Sequence, residues 1–79
     1  MPYKYGRTWK DVCQSMQIPT RDADVIIRTC REEGYSEKAL CFVADKREAK
    51  LLQYLGDDRF PSIYINEVRK HAFKKNDER

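Results

Sequence analysis

Apolar side chains recur at intervals of three and four residues along most of this chain, and prolines and glycines cut that pattern into short segments. The combination restricts the fold to short amphipathic helices packed on one another. Trp9, Val12, Cys13 and Met16 keep the spacing of one buried helical stripe. Thr8-Trp9-Lys10-Asp11 has the spacing of a capping box, with Asp in place of the usual Glu or Gln, so the first helix begins after Thr8. Ile18-Pro19 ends it, because the residue before a proline avoids the helical region.

Thr20 is the expected cap of a second helix, with Asp22 and Asp24 in its first turn, where the dipole favours acids. Ala23, Ile26, Ile27 and Cys30 form its buried face, and Gly34 stops it. Ser36 caps a helix containing Ala39, Leu40 and Val43. Asp45-Lys46-Arg47-Glu48 has the spacing of a second capping box, followed by Ala49, Leu51, Leu52 and Leu55 as an apolar face. The continuous run Leu40-Cys41-Phe42-Val43 also fits a strand over residues 39–44, and periodicity does not separate the two at that length.

Gly56-Asp57-Asp58-Arg59 reads as a loop, and Pro61 suits the first turn of a last helix. Tyr64, Ile65, Val68 and Ala72 are its inner face, with Arg69, Lys70 and Lys74 outside. The expected architecture is all-α, a small four- to five-helix bundle. It comprises a basic-aromatic arm over residues 1–7, a single helical domain over 8–73 and a disordered basic tail over 74–79.

With 79 residues and 9.4 kDa, the chain makes one domain whose core is too small for a large substrate cavity. No apolar run approaches the roughly 18 residues needed to cross a bilayer, and the N-terminus lacks the apolar stretch of a signal peptide. Three cysteines cannot all pair within one chain, which points to a reducing, cytoplasmic setting.

The net charge of +3 is unevenly spread. Residues 1–10 carry Lys4, Arg7 and Lys10 and no acid; residues 69–79 carry Arg69, Lys70, Lys74, Lys75 and Arg79 against Asp77 and Glu78. The body between them has a net charge of −3. Two basic ends flanking an acidic body fit arms that reach for phosphate. In the N-terminal arm, Tyr3 and Tyr5 alternate with Lys4 and Arg7, pairing rings that stack on bases with cations that neutralise phosphate.

Signatures of catalysis are missing. Cys13, Cys30 and Cys41 are too widely spaced for a zinc site or a CxxC redox pair, and His71 lies far from all three. Cys13 and Cys30 fall on apolar faces, where a thiol packs as a small hydrophobe. His71 reads as an exposed histidine on a basic surface. The glycines are too scattered to cradle a phosphate. No enzymatic activity, metal or cofactor is expected.

Residues 9–28 resemble the helix-turn-helix of DNA-binding domains. Counting from Trp9, the residues Val12, Met16, Ile18, Ala23 and Ile26 stand where that motif buries apolar side chains, and Cys13 stands where two closely approaching helices need a small one. Gln17 departs from the pattern, at a turn position where glycine is commonest. The resemblance implies that the helix starting at Thr20 is the recognition helix. Thr20, Arg21 and Asp24 would then face base edges and Arg28 the phosphates, while Asp22 and Asp24 oppose docking. A strand at 40–43 would extend the resemblance to a winged helix with a short β-wing after Gly34. The nucleic-acid reading expects Lys4, Arg7 and Lys10 at one end and Arg69, Lys70, Lys74 and Lys75 at the other to converge on the 20–28 helix.

A protein-interaction module is the competing class. Residues 25–55 resemble the three-helix ubiquitin-associated domain, in which a Gly-aromatic-Ser turn precedes an Ala-Leu pair. Here Gly34-Tyr35-Ser36 precedes Ala39-Leu40, with Glu33 replacing the Met or Leu ahead of the glycine. A small phage, viral or plasmid protein that inhibits a host factor fits the size and charge as well.

Overall fold

A computed structural model describes residues 8–72, and all five elements in it are helices: α1 (Trp9–Met16), α2 (Thr20–Glu32), α3 (Glu37–Lys46), α4 (Glu48–Leu52) and α5 (Phe60–His71). The basic-aromatic arm and the tail from Phe73 onward lie outside the described residues. Residues 39–44 belong to α3, so neither a strand there nor a wing after Gly34 is formed. The reason is burial on one helical face: Leu40, Cys41, Val43 and Ala44 are all turned into the core, while Phe42 points outward.

α1 starts as its sequence dictates. The Thr8 hydroxyl accepts from the Asp11 backbone N–H at 3.2 Å, and the Asp11 carboxylate accepts from the Thr8 N–H at 3.1 Å. It ends two residues before the expected Ile18-Pro19 break. The Ile18 N–H donates to the Cys13 carbonyl at 2.9 Å and the Gln17 N–H to Gln14 at 3.3 Å. That is the Schellman pattern, and it places Gln17 in the left-handed region with φ 61°. The same pattern closes α2: the Tyr35 N–H donates to Cys30 and the Gly34 N–H to Arg31, with Gly34 at φ 95°. Glycine takes the left-handed position in the second case and glutamine in the first. Because Gln17 is exposed and its Cβ disfavours this conformation, Gln17→Gly is expected to stabilise the fold by about 0.5–1 kcal/mol in urea unfolding.

Two expected caps are not used. Pro19, extended at φ −60° and ψ 147°, occupies the cap position of α2, and its carbonyl accepts the Ala23 N–H at 2.9 Å. Thr20 is therefore the first helical residue and makes no capping bond. The capping box at Asp45 is likewise absent: the buried Val43 and Ala44 carry α3 through Asp45 to Lys46, and Arg47 joins it to α4 without a side-chain cap. Ser36 does cap α3, accepting from Ala39 at 3.3 Å. α4 is only five residues long and buries Leu51; Ala49 and Leu52 are exposed and Leu55 half-buried, so the apolar face expected there is not assembled.

α5 organises the core. Its Tyr64 is fully buried, meets the rings of Trp9 and Phe60 edge-on at 5.4 and 6.0 Å, and donates its hydroxyl to the Leu40 carbonyl at 2.6 Å. One side chain thus ties α1, α3 and α5 together. α2 packs chiefly on α5, and α1 chiefly on α3. The first two helices are joined by a tight turn, but each rests more on a later helix than on the other. No described helix is long and apolar enough to cross a membrane.

Candidate functional site

The sequence-derived site residues fall into separate places. Lys10 on α1 and Thr20, Arg21, Asp24 and Arg28 on α2 are all exposed. The charge of Asp24 acts on the Cys13 thiol across the turn that joins the two helices. Lys4, Arg7, Lys74 and Lys75 lie outside the described residues. Arg69 is committed elsewhere: its guanidinium forms a two-pronged ion pair with Glu33, with Nε 2.9 Å from Oε1, and also donates to Asn66 at 2.9 Å. Arg69 therefore pins the end of α2 to α5, with its charge already matched. Glu33 follows the last residue of α2, about 20 Å along the axis from Thr20, so Arg69 stands at the opposite end of that helix from Thr20 and Arg21, with Arg28 nearer to it.

Among the described residues, the start of α1 and the end of α5 are held at opposite ends of α3. The Trp9 N–H donates to Glu37 in the first turn of α3 at 2.7 Å, whereas His71 meets Arg47 just past its last residue, with Nε–Nε2 3.1 Å. The helix between those anchors separates them by about 15 Å. α3 stands between these two anchors as a spacer.

A third place was not foreseen. Glu67 on α5 is 2% exposed, and Lys50 on α4 donates to its Oε2 at 2.8 Å. Lys70, one turn on, stands 4.0 Å from the same oxygen. His71 Nε2 lies 3.3 Å and Arg47 Nε 3.8 Å from Oε1, which accepts no hydrogen bond. Burial alone would raise the Glu67 pKa, but the hydrogen bond from Lys50 and the charges of Lys50, Lys70 and His71 outweigh it and hold the carboxyl below its ordinary value. His71 is thus half-buried and held in place, contrary to the exposed position expected from its basic neighbours in sequence.

The sign of this shift fixes a pH dependence. The carboxyl is more acidic folded than unfolded, so its ion pairs contribute fully above the ordinary value of 4.5 and are lost as pH falls through the lower folded value. The urea midpoint is expected to drop as pH is lowered below about 4.5, and Glu67→Gln should flatten that part of the profile.

The thiols of Cys13 and Cys30 are poorly placed for nucleophilic work. Burial first, then Asp24, pushes Cys13 up to about 11. Burial first, then Glu33, pushes Cys30 up to about 11 against the pull of Arg69. Both stay protonated near neutral pH. Among the described residues, no three His, Cys, Asp or Glu side chains gather as metal ligands. No family model, curated protein or solved structure matches the chain.

Proposed function

We propose that the chain is a small non-enzymatic nucleic-acid-binding or regulatory protein, with the outward face of α2 as its reading surface. The observation that carries this is the state of that face. Thr20, Arg21, Asp24 and Arg28 are exposed along a helix anchored from behind by Ala23, Ile26 and Cys30, and among the described residues neither Arg21 nor Arg28 has an ion-pair partner. The left-handed turn at Gln17 supports it too, since the resemblance calls for glycine there. α2 itself is neutral, its three arginines balanced by three acids, so general attraction to phosphate must come from other elements.

The test is the anisotropy of a labelled mixed-sequence duplex at low salt. Arg21→Ala is expected to raise Kd by about tenfold to a hundredfold, the usual cost of one good base contact. Absence of binding to duplex or single strands at micromolar protein overturns the reading. A protein-interaction module is the second reading, which retrieval of one protein partner irrespective of nuclease treatment would favour.

A further inference from the structure

We propose that Arg47, Lys50, Lys70 and His71, gathered around the buried Glu67 carboxylate, form the site that takes the phosphates of a nucleic-acid backbone, and that protonation of His71 completes it. This rests on the nucleic-acid reading above but moves its electrostatic footing from α2 to the junction of α3, α4 and α5. Three full positive charges, those of Arg47, Lys50 and Lys70, stand within 4.0 Å of a single carboxylate. One lysine is enough to hold a buried glutamate, so the further cations are held near one another with charge to spare. Their side chains remain 42, 45 and 64% exposed, so they are both positioned from below and open to a ligand above. Arg69, one residue away, differs because Glu33 already matches its charge.

His71 supplies a signature that mere structural support would not. An arginine Nε–H can only donate, so the bond from Arg47 requires His71 Nε2 to be an unprotonated acceptor. On the other side Nε2 faces Glu67 Oε1, which accepts no hydrogen bond. A proton on Nε2 would let it donate to that oxygen, release Arg47 and add a charge to the patch. Arg47 and Glu67 meet the ring itself, and Lys50 from α4 and Lys70 from its own helix stand on the other oxygen of that carboxylate. His71 is the one histidine in the chain, and histidine is the residue type whose charge ordinarily changes between pH 5 and 8.

The experiment titrates a labelled mixed-sequence duplex with the full chain at pH 5.5 and 7, across a salt series. Lys70→Gln, the most exposed of the set, is the variant that spares the fold; Lys50→Gln/Lys70→Gln is the stronger one, checked by circular dichroism. The double variant is expected to lower the slope of log affinity against log salt by about 2 and Lys70→Gln by about 1. Wild type should bind several-fold tighter at pH 5.5 than at pH 7, and His71→Asn should abolish that difference. If wild type binds but Lys70→Gln leaves both affinity and slope unchanged, the site is overturned while the nucleic-acid reading stands. If wild type binds no nucleic acid at either pH, both fall.

Discussion

Tyr64→Ala is expected to remove about 3–5 kcal/mol of folding stability, the usual cost of emptying a large aromatic site in a core. A domain of this size holds only about 5–10 kcal/mol in total, so the variant should be largely unfolded at modest urea. The cause is the number of elements one ring joins. It meets Trp9 from α1 and Phe60 at the start of its own helix, and its hydroxyl reaches the Leu40 carbonyl in α3. Tyr64→Phe separates the two contributions: it keeps the ring and loses the hydrogen bond, for about 0.5–1.5 kcal/mol. Trp9 is buried against Tyr64, so its fluorescence reports unfolding and is a poor reporter of a ligand on a distant face. A Tyr64→Ala variant with a near-wild-type urea midpoint would mean that the core is organised elsewhere.

The helices were largely legible in the sequence because their stop and start signals are local. Thr8 with Asp11, Ser36 and Gly34 act within four residues of themselves, and all three do in the fold what the pattern implies. Errors arose where a local signal competed with packing. Asp45 looked like a cap, yet the helix ran on because Val43 and Ala44 had core to bury against. Thr20 lost the cap position to Pro19, whose extended backbone was already suitable. Periodicity assigned Leu52 to an apolar face, but α4 is too short to present one.

The candidate site was less legible for a different reason. Glu67, Lys70 and His71 lie three and four residues apart on α5, a spacing open to inspection. Their partners Arg47 and Lys50 come from the α3–α4 junction, some 20 residues earlier, and only tertiary packing brings them to the same carboxylate. The pairing of Arg69 with Glu33 is equally hidden, since nothing local announces it. Charge counted along the chain finds basic segments; it does not say which cations the fold has already neutralised.

Salt should act on binding more strongly than any single substitution. If Arg28 on α2 and Arg47, Lys50 and Lys70 at the helix junction all meet phosphate, about four counterions are released. Affinity then falls by about 10² to 10³ between 50 and 200 mM salt. Folding should change little over that range, because the core is apolar and the described ion pairs are close contacts, shorter than the screening length.

The most direct measurement is therefore the anisotropy of a labelled duplex titrated with the intact protein at 50, 100 and 200 mM salt. Micromolar or tighter binding at 50 mM, falling steeply and linearly on a log–log plot, is the predicted result. No binding at 50 mM, or binding indifferent to salt, would contradict the account.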